Sequence, residues 1–327
     1  MTTVPLIDIS DLVTHRGDAT HVADAIGSAC RDSGFFYVSG HGVDEGLSEK
    51  LDQLCRQFFA QDLDSKMSIP MAHGGRAWRG YFPVGNELTL GQPDQKEGLY
   101  FGAELDNEHP KVQARVPLHG RNLFPAIPQF KETVLAYLDA MTSLGHKLME
   151  GIALSLGLEA SYFADRYTGD PLILFRVFHY PPLPTANPDS LWSVGEHTDY
   201  GLLTILRQDA AGGLQVKSGG GWIDAPPIEG SFVVNIGDML DRMTGGRYRS
   251  TPHRVRNRSA LGRLSFPFFF DPNFDAQVQP IDPQLDFEED RADRWDQSSV
   301  HDFNGTYGDY ILEKVSKVFP ELGRDAL

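Results

Sequence analysis

The first part of the chain alternates between helical and strand-like spacing of its apolar residues. Residues 19–34 and 45–61 have apolar positions at helical spacing, which predicts two amphipathic helices. Between them "FFYVSGHGV" is typical of a buried strand, and "VPLIDIS" near the start predicts a shorter one. The longest helical pattern, "AIPQFKETVLAYLDAMTSLGHKLMEGIALSL", predicts a central helix within residues 125–156.

Beyond residue 171 the pattern changes to short apolar or alternating runs separated by glycine and proline. Evenly spaced short strands with such turns favour a β-sandwich or barrel, here a jelly roll, in which "LQVKSGGGWID" forms one hairpin. By contrast, residues 71–102 are rich in glycine and aromatic residues and have no clean period. That segment predicts loops and short strands that could line a cleft.

These patterns together predict an α+β protein built around a jelly-roll core. We expect residues 1–170 to form a mixed, largely helical region that packs on this core, and residues 171–285 to form the core itself. Residues 286–327 contain an acidic stretch followed by one more helical pattern. No internal repeat or low-complexity linker separates these parts.

Composition narrows the class of partner. The chain has 327 residues and a formal net charge of -16, which argues against nucleic acid or an anionic membrane as partner, because both favour basic surfaces. There is no basic start followed by an apolar run, and no uncharged stretch long enough to span a bilayer. Cys30 and Cys55 both lie in helical patterns, so we expect buried thiols in a cytoplasmic, reducing environment.

The segment "GEHTDYGLLTIL" contains a histidine and an aspartate two residues apart, at the predicted start of a core strand. On a strand, His197 and Asp199 would leave the same face and could reach one point. By itself such a pair more often belongs to an ordinary turn, and His253 in "STPHRVRN" would by itself more often be structural. Together they supply two imidazoles and one carboxylate, the ligand set of non-haem Fe(II) oxygenases.

A second pair strengthens this interpretation. In "GRLSFPFFF", Arg263 and Ser265 lie two apart on a predicted strand, so both side chains leave one face. An arginine can bind a carboxylate through two parallel hydrogen bonds, and the serine hydroxyl adds a further donor. A metal site next to a carboxylate anchor suggests a keto acid ligand.

The motifs are specific in combination. "HTDYGLLTILRQDAAGGLQV", "GSFVVNIGDML", "GGRYRSTPHRV" and "RLSFPFFFDPN" resemble successive signatures of the isopenicillin N synthase-like family of iron- and 2-oxoglutarate-dependent dioxygenases. "VPLIDIS" and "ACRDSGFFYVSGHGV" resemble the N-terminal region of that family, so the similarity runs from Val4 to about Phe319.

The resemblance implies a double-stranded β-helix core and assigns roles to individual residues. His197, Asp199 and His253 would bind Fe(II), while Arg263 and Ser265 would hold the distal carboxylate of the cosubstrate 2-oxoglutarate. Tyr180 matches a tyrosine that often helps to hold the cosubstrate, whereas Phe178 stands where some plant members have an asparagine. The implied reaction uses O2 to hydroxylate a C–H bond of a small molecule, with release of succinate and CO2.

Three alternatives remain open from the sequence. Some members of the family oxidise their substrate without 2-oxoglutarate, and "HTDYGLL" with "MTGG...STPH" resembles bacterial enzymes that fragment 2-oxoglutarate to ethylene. A protein of another class would use the same jelly roll only to bind a small molecule, without catalysis.

Candidate substrate residues come from two segments. In the resembling family, residues 71–102 commonly face the open side of the iron site. The candidates there are Arg79, Tyr81, Glu87, Lys96 and Tyr100. Equally, Arg79 and Glu87 could pair with each other while the aromatic side chains pack. Phe268 and Phe270 lie on the strand of the carboxylate anchor and could form pocket wall or, more often, plain core.

Residues 242–263 contain seven arginines, which could form a positive rim for anionic ligands. Alternation along a strand instead favours outward, solvated positions for Arg254, Arg256 and Arg258. Two further histidines, His73 and His179, we expect to be structural or to lie next to the ligands rather than to bind the metal.

Overall fold

The computed structural model describes residues 3–89, 91–182, 193–256, 262–282 and 290–318. Its α-helices are α1 (Ser10–Thr14), α2 (Ala19–Asp32), α3 (Glu45–Phe59), α4 (Leu63–Lys66), α5 (Pro110–Gln113), α6 (Phe130–Ser155), α7 (Tyr162–Arg166), α8 (Asp238–Met243) and α9 (Tyr307–Val318). Short 3-10 helices span Met71–Ala77, Arg291–Asp293 and Val300–Asp302.

The strands of the first part are β1 (Leu6–Asp8), β2 (Phe35–Ser39), β3 (Gly80–Phe82), β4 (Leu88–Thr89), β5 (Gln92–Pro93) and β6 (Glu97–Gly102). Those of the second part are β7 (Pro171–Tyr180), β8 (Val194–His197), β9 (Leu203–Gln208), β10 (Leu214–Ser218), β11 (Gly221–Asp224), β12 (Phe232–Ile236), β13 (His253–Val255) and β14 (Arg263–Asn273).

Two β-sheets face each other and form the jelly roll. The larger has the order β1-β2-β12-β9-β14-β7-β6-β3, the smaller the order β11-β10-β13-β8, and β4 with β5 forms a separate hairpin. The pairing is antiparallel except between β1 and β2. The predicted jelly roll is therefore confirmed, and strands from the first part of the chain extend its larger sheet.

Helices α2 and α3 begin where the sequence pattern predicts. Asp18 caps α2 by accepting a hydrogen bond from the backbone N of Thr20, and Asp44 caps α3 in the same way through Gly46. Gly34 follows Ser33, the C-cap residue of α2, with a φ of 66° that glycine adopts without strain. The predicted hairpin is β10 and β11, joined by Gly219 and Gly220 in left-handed conformations.

The helical layer covers the outer face of the larger sheet. Helix α6 lies across β14, and α2 and α3 pack against α6. At the contact, Gly145 of α6 lies directly against the ring of Phe270 on β14, and His146 meets the same ring edge-on at 4.9 Å.

The two cysteines are free and buried, as expected, and burial raises the pKa of Cys30 to about 12. None of the described helices is both long and apolar enough to cross a lipid bilayer.

We predict that Gly145→Ala destabilises the protein. Alanine at an ordinary helix position is about 1 kcal/mol better than glycine. Here the added methyl group would overlap the Phe270 ring, and overpacking of a core typically costs about 1–3 kcal/mol. Chemical denaturation of this variant should therefore show a lower midpoint, whereas Ser143→Ala on the exposed face of α6 should not. A higher midpoint for Gly145→Ala would contradict the close packing.

Candidate active site

The three candidate metal ligands meet because the smaller sheet pairs β8 with β13. His197 is the last residue of β8 and His253 the first of β13, and the two are direct cross-strand partners. Their ring centroids are 4.2 Å apart. Asp199 follows in the turn that carries the chain from β8 to β9, which means from the smaller sheet to the larger.

This placement corrects the expectation that His197 and Asp199 lie at the start of a core strand. His197 and Asp199 lie where β8 ends, and the core strand β9 begins only at Leu203. The physical reason is the sheet crossing, because a strand cannot continue in register while the chain moves to the opposite sheet. Asp199 lies two residues beyond His197 and outside the paired strand, and its carboxylate nevertheless faces both histidines, as the two-residue spacing predicts.

The donor atoms of the three residues lie within 4.8 Å of one another. Oδ1 of Asp199 is 3.9 Å from Nε2 of His197, and Oδ2 is 3.8 Å from Nε2 of His253. Nitrogen and oxygen ligands bonded to a metal at about 2.1 Å lie roughly 3 Å apart, so a small inward movement would complete the ligand shell. Two imidazoles and a carboxylate suit Fe(II) with open positions left over.

Hydrogen bonds orient each candidate ligand. Nδ1 of His197 lies 2.8 Å from the backbone O of Gly195, and Nδ1 of His253 lies 3.3 Å from that of Thr251. Protonation at Nδ1 therefore leaves Nε2 with a free electron pair that points toward Asp199. Asp199 Oδ2 accepts hydrogen bonds from Thr204 Oγ1 and from Asn235 Nδ2, the latter at 2.7 Å.

The electrostatics favour the protonation states that a metal requires. Burial, together with the neighbouring His253, lowers the pKa of His197 to about 4, so the imidazole is neutral near pH 7. Burial alone would raise the pKa of Asp199, but His253 and His197 outweigh it and hold this pKa below its usual value. A neutral imidazole and an ionised carboxylate are the forms that bind metal ions.

The candidate carboxylate anchor lies at the start of β14. Arg263 is 1% exposed, and its Nε donates to the backbone O of Gly212 at 2.6 Å. Its Nη1 and Nη2 atoms are buried and have no hydrogen-bond partner within the part of the chain that the structure describes. Leaving a buried guanidinium unsatisfied is costly, so this geometry fits a carboxylate ligand bound through two hydrogen bonds.

Ser265 and Tyr180 complete the anchor. Ser265 leaves the same face of β14 as Arg263, and Tyr180 of β7 is the direct cross-strand partner of Arg263. The Arg263 guanidinium lies 4.8 Å from the centre of the Tyr180 ring. Phe178, two residues earlier on β7, lines the same cavity as these residues.

One cavity of about 450 Å³ joins the metal ligands to this anchor. Its walls come from both sheets, and α9 contributes Ile311, Lys314 and Val315. Glu87 and Lys96 from the glycine- and aromatic-rich segment also reach it. This volume is sufficient for 2-oxoglutarate and a second small molecule, and it is typical of small-molecule sites.

The other candidate substrate residues of that segment lie outside the cavity wall. Arg79 is buried and donates to the backbone O of Leu118, and it does not pair with Glu87. Tyr81 donates to Glu97, and Tyr100 lies behind Glu87 and donates to it at 2.7 Å.

Phe268 and Phe270 belong to the core, because alternation along β14 turns them away from the face of Arg263 and Ser265. Phe269 occupies the cavity-facing position instead. The sequence already contained this information, since Phe269 is separated from Arg263 and Ser265 by even numbers of residues.

Arg176 is the main cavity residue that the sequence reasoning missed. It lies on β7 between the rings of Tyr100 and Phe269, at 4.3 and 4.9 Å from their centres. Its one described ion pair is a loose contact of 3.5 Å between Nη1 and Glu87 Oε1. A single arginine within the apolar run "LILFRVF" was the available signal, because a strand buried on both faces rarely carries a charge.

The described arginines of residues 242–263 do not form a rim around the cavity. Among them, Arg242 donates to the backbone O atoms of Val278, Val300 and His301, and Arg254 stacks on Trp222 at 3.8 Å. Of the described arginines in this stretch only Arg263 lines the cavity, and Arg258 lies outside the described residues. His179 is in a structural network, where its Nδ1 lies 2.7 Å from Glu97 Oε1.

Comparison with known proteins supports this chemistry. Residues 4–127 match the model of the non-haem dioxygenase in morphine synthesis N-terminal region, and residues 172–272 match that of the 2OG-Fe(II) oxygenase superfamily. A probable iron/ascorbate oxidoreductase of Dictyostelium discoideum is 50% identical over 99% of this chain and 97% of its own length. A 1-aminocyclopropane-1-carboxylate oxidase of Dictyostelium mucoroides is 40% identical over 97% of this chain and 95% of its own length.

A solved structure agrees with this result. A full-length Neurospora crassa protein, crystallised in complex with alpha-KG and thymine, superimposes with a TM-score of 0.78 at 28% identity, and the match covers 96% of each chain. The shared fold is the double-stranded β-helix with flanking helices. The sequence, the ligand geometry and these relatives agree that the chain belongs to the family of 2OG-Fe(II) oxygenases.

Proposed function

We propose that this protein is an Fe(II)- and 2-oxoglutarate-dependent dioxygenase that hydroxylates a C–H bond of a small molecule. The observation that carries the proposal is the shared cavity, which brings a His-Asp-His cluster and an unsatisfied buried arginine together. The first is a site for a metal and the second a site for a carboxylate. The ligand that needs both at once is a keto acid that chelates the metal at one end.

In this proposal His197, Asp199 and His253 hold the metal, and Arg263, Ser265 and Tyr180 hold the far carboxylate of 2-oxoglutarate. With O2, the bound iron and cosubstrate supply the oxidation, in which one oxygen atom enters the substrate and the other enters succinate as CO2 is released. The chain itself orients the metal and the cosubstrate and excludes water from the site. Apolar side chains from both sheets, such as Leu206 and Val194, surround the cluster and exclude bulk water.

We further propose that the substrate is a small carboxylate of the amino-acid type. Arg176 is partly buried and faces the cavity, and within the described residues its buried Nε has no hydrogen-bond partner. Lys96 Nζ lies 3.0 Å from Glu87 Oε2, so Glu87 is shared between two cations and leaves Arg176 free to take a further anion. The relative named as an oxidase of 1-aminocyclopropane-1-carboxylate supports an amino acid as substrate.

The two remaining enzyme alternatives differ from the proposal in what they consume and release. An oxidase that works without 2-oxoglutarate would turn over substrate in its absence, and a fragmenting enzyme would release ethylene from 2-oxoglutarate itself. The family membership favours an enzyme over a jelly roll that only binds small molecules.

Replacing His253 by alanine should abolish metal-dependent turnover. Without one imidazole the cluster loses a third of its ligands, and such losses lower metal affinity strongly. Anaerobic wild-type protein with Fe(II) and 2-oxoglutarate should develop a weak visible charge-transfer band, and His253→Ala should not. Full succinate production by His253→Ala would refute the assignment of this residue.

Replacing Arg263 by alanine should raise the KM for 2-oxoglutarate by about 100-fold, since a charged hydrogen-bonded partner contributes about 3 kcal/mol. Arg254→Ala is the matched control, because Arg254 is a nearby strand arginine that stacks on Trp222 and does not line the cavity. Steady-state succinate release at varied 2-oxoglutarate measures both variants. An unchanged KM in Arg263→Ala would refute the role of Arg263 as the carboxylate anchor, and substrate turnover without 2-oxoglutarate would favour the oxidase that needs none.

A screen of matched compounds tests the substrate class. Each α-amino acid should be assayed beside the amine that lacks its carboxylate, with succinate release above the uncoupled background as the readout. We expect stimulation by one or more amino acids and none by the matching amines. Arg176→Leu should lose this stimulation while it keeps the visible iron band. Equal stimulation by an amine and its amino acid would contradict an anchoring role for Arg176.

A further inference from the structure

Helix α9 forms part of the cavity wall, and its first turn contacts residues close to the segments that carry the metal ligands. Ile311 and Val315 line the cavity, and the two tyrosines near the start of the helix are buried. Each of these tyrosines, Tyr307 and Tyr310, donates its hydroxyl to a different buried aspartate. These two aspartates belong to separate elements of the jelly roll.

The first contact leads to the turn that carries Asp199. Tyr307 Oη donates to Oδ2 of Asp271 at 2.6 Å, and Asp271 lies on β14 and is 2% exposed. The other oxygen of Asp271 lies so close to Gly201 that a Cβ atom at that position would overlap it. Gly201 is two residues beyond Asp199, so the Asp271 carboxylate limits the path of the backbone in the turn that carries Asp199, here called the ligand turn.

The second contact leads to both sides of the metal site. Tyr310 Oη donates to Oδ2 of Asp238 at 2.8 Å, and Ser250 Oγ donates to Oδ1 of the same residue at 2.8 Å. The backbone N of Asp238 donates to the backbone O of Asp199, also at 2.8 Å. Asp238 therefore joins the turn of Asp199 to the segment that leads into His253.

Tyr310 and Lys314 add contacts to the same turn. Tyr200, the neighbour of Asp199, meets the ring of Tyr310 at 6.5 Å. Lys314 Nζ lies 5.5 Å from the centre of the Tyr200 ring and 5.0 Å from that of Tyr310. Thus α9 contacts the ligand turn from two directions.

We propose that Tyr307 and Tyr310 are positioning residues for the iron site, and that α9 holds the segments of Asp199 and His253 at the separation that binds the metal. The proposal rests on the proposed function only in that the His-Asp-His cluster binds Fe(II). The donor atoms are 3.8 and 3.9 Å apart and must approach each other on binding. The carboxylates of Asp271 and Asp238 restrict the two ligand segments before the metal binds. Less conformational entropy is then lost on binding, so the affinity for the metal is higher.

A purely structural role for the two tyrosines makes a different prediction. If their hydroxyls only add to global stability, losing one should lower the unfolding midpoint and leave metal affinity unchanged in the folded protein. If they position the ligand segments, the affinity for Fe(II) should fall even at temperatures where the variant is fully folded.

The test compares Tyr307→Phe, Tyr310→Phe and the double variant with wild type. Fe(II) affinity is measured anaerobically by competition with a chromogenic chelator, and thermal unfolding of the metal-free protein is recorded in parallel. Partners of metal ligands typically change metal affinity by about 10–100-fold, and for these more remote residues we expect a dissociation constant raised by about tenfold in each single variant. At saturating Fe(II) the KM for 2-oxoglutarate should stay near the wild-type value, because Arg263 is untouched.

Tyr37→Phe is the matched control. Tyr37 is also buried, and its hydroxyl donates to the backbone O of Pro226 at 2.6 Å, away from the ligand segments. This control should lose a comparable hydrogen bond without losing Fe(II) affinity. If a tyrosine variant is poorly folded, Asp238→Asn provides the second measurement, because it keeps the shape of the side chain and removes its charge. It should also weaken Fe(II) binding.

The outcomes separate the two proposals. Wild-type protein that binds no Fe(II) would refute the proposed function itself. Wild-type protein that binds Fe(II), together with tyrosine variants whose affinities equal that of Tyr37→Phe, would refute only the positioning role.

Discussion

The site depends on how the carboxylate of Asp199 is held. Its side chain accepts hydrogen bonds from Thr204 on β9 and Asn235 on β12, both in the larger sheet, while the two histidines that face it belong to the smaller sheet. The side chain of Asp199 therefore contacts residues of both sheets and links them across the cavity. An ionised carboxylate is tolerated there because two donors and two imidazoles surround it, and it would be costly in an apolar core.

The rule that a buried polar group needs a hydrogen-bond partner also points to a site for a carboxylate at Arg263. Arg263 has two nitrogen atoms without a partner among the described residues, and Arg79 also has unpartnered nitrogen atoms although it is equally buried. The difference is space. Arg263 faces a cavity that a carboxylate can enter, whereas the guanidinium of Arg79 lies against the backbone of Gly102. An unsatisfied cation predicts a ligand only where there is room for one.

The regions on either side of the jelly roll shape the rest of the cavity. Glu87 and Lys96 reach it from the first part of the chain, and Arg176 is held between an aromatic ring of β6 and one of β14. At the opposite end of the chain, α9 lines the cavity and contacts the turn next to Asp199. In the proposed function the core strands hold the metal and the cosubstrate, and Arg176 of β7 together with the flanking elements distinguishes one substrate from another.

The sequence by itself determined the kinds of chemical group and the local spacing that bring them together. The pair His197 and Asp199, the alternation of Arg263 with Ser265, and the change from helical to strand spacing near residue 171 all depend on neighbours in the chain. The pairing of His197 with His253, the turn at Asp199 and the approach of Arg176 to Glu87 were decided only by the tertiary structure. These contacts join segments 56 and 89 residues apart, as the numbering shows, and sheet register rather than local pattern sets which side chains face each other.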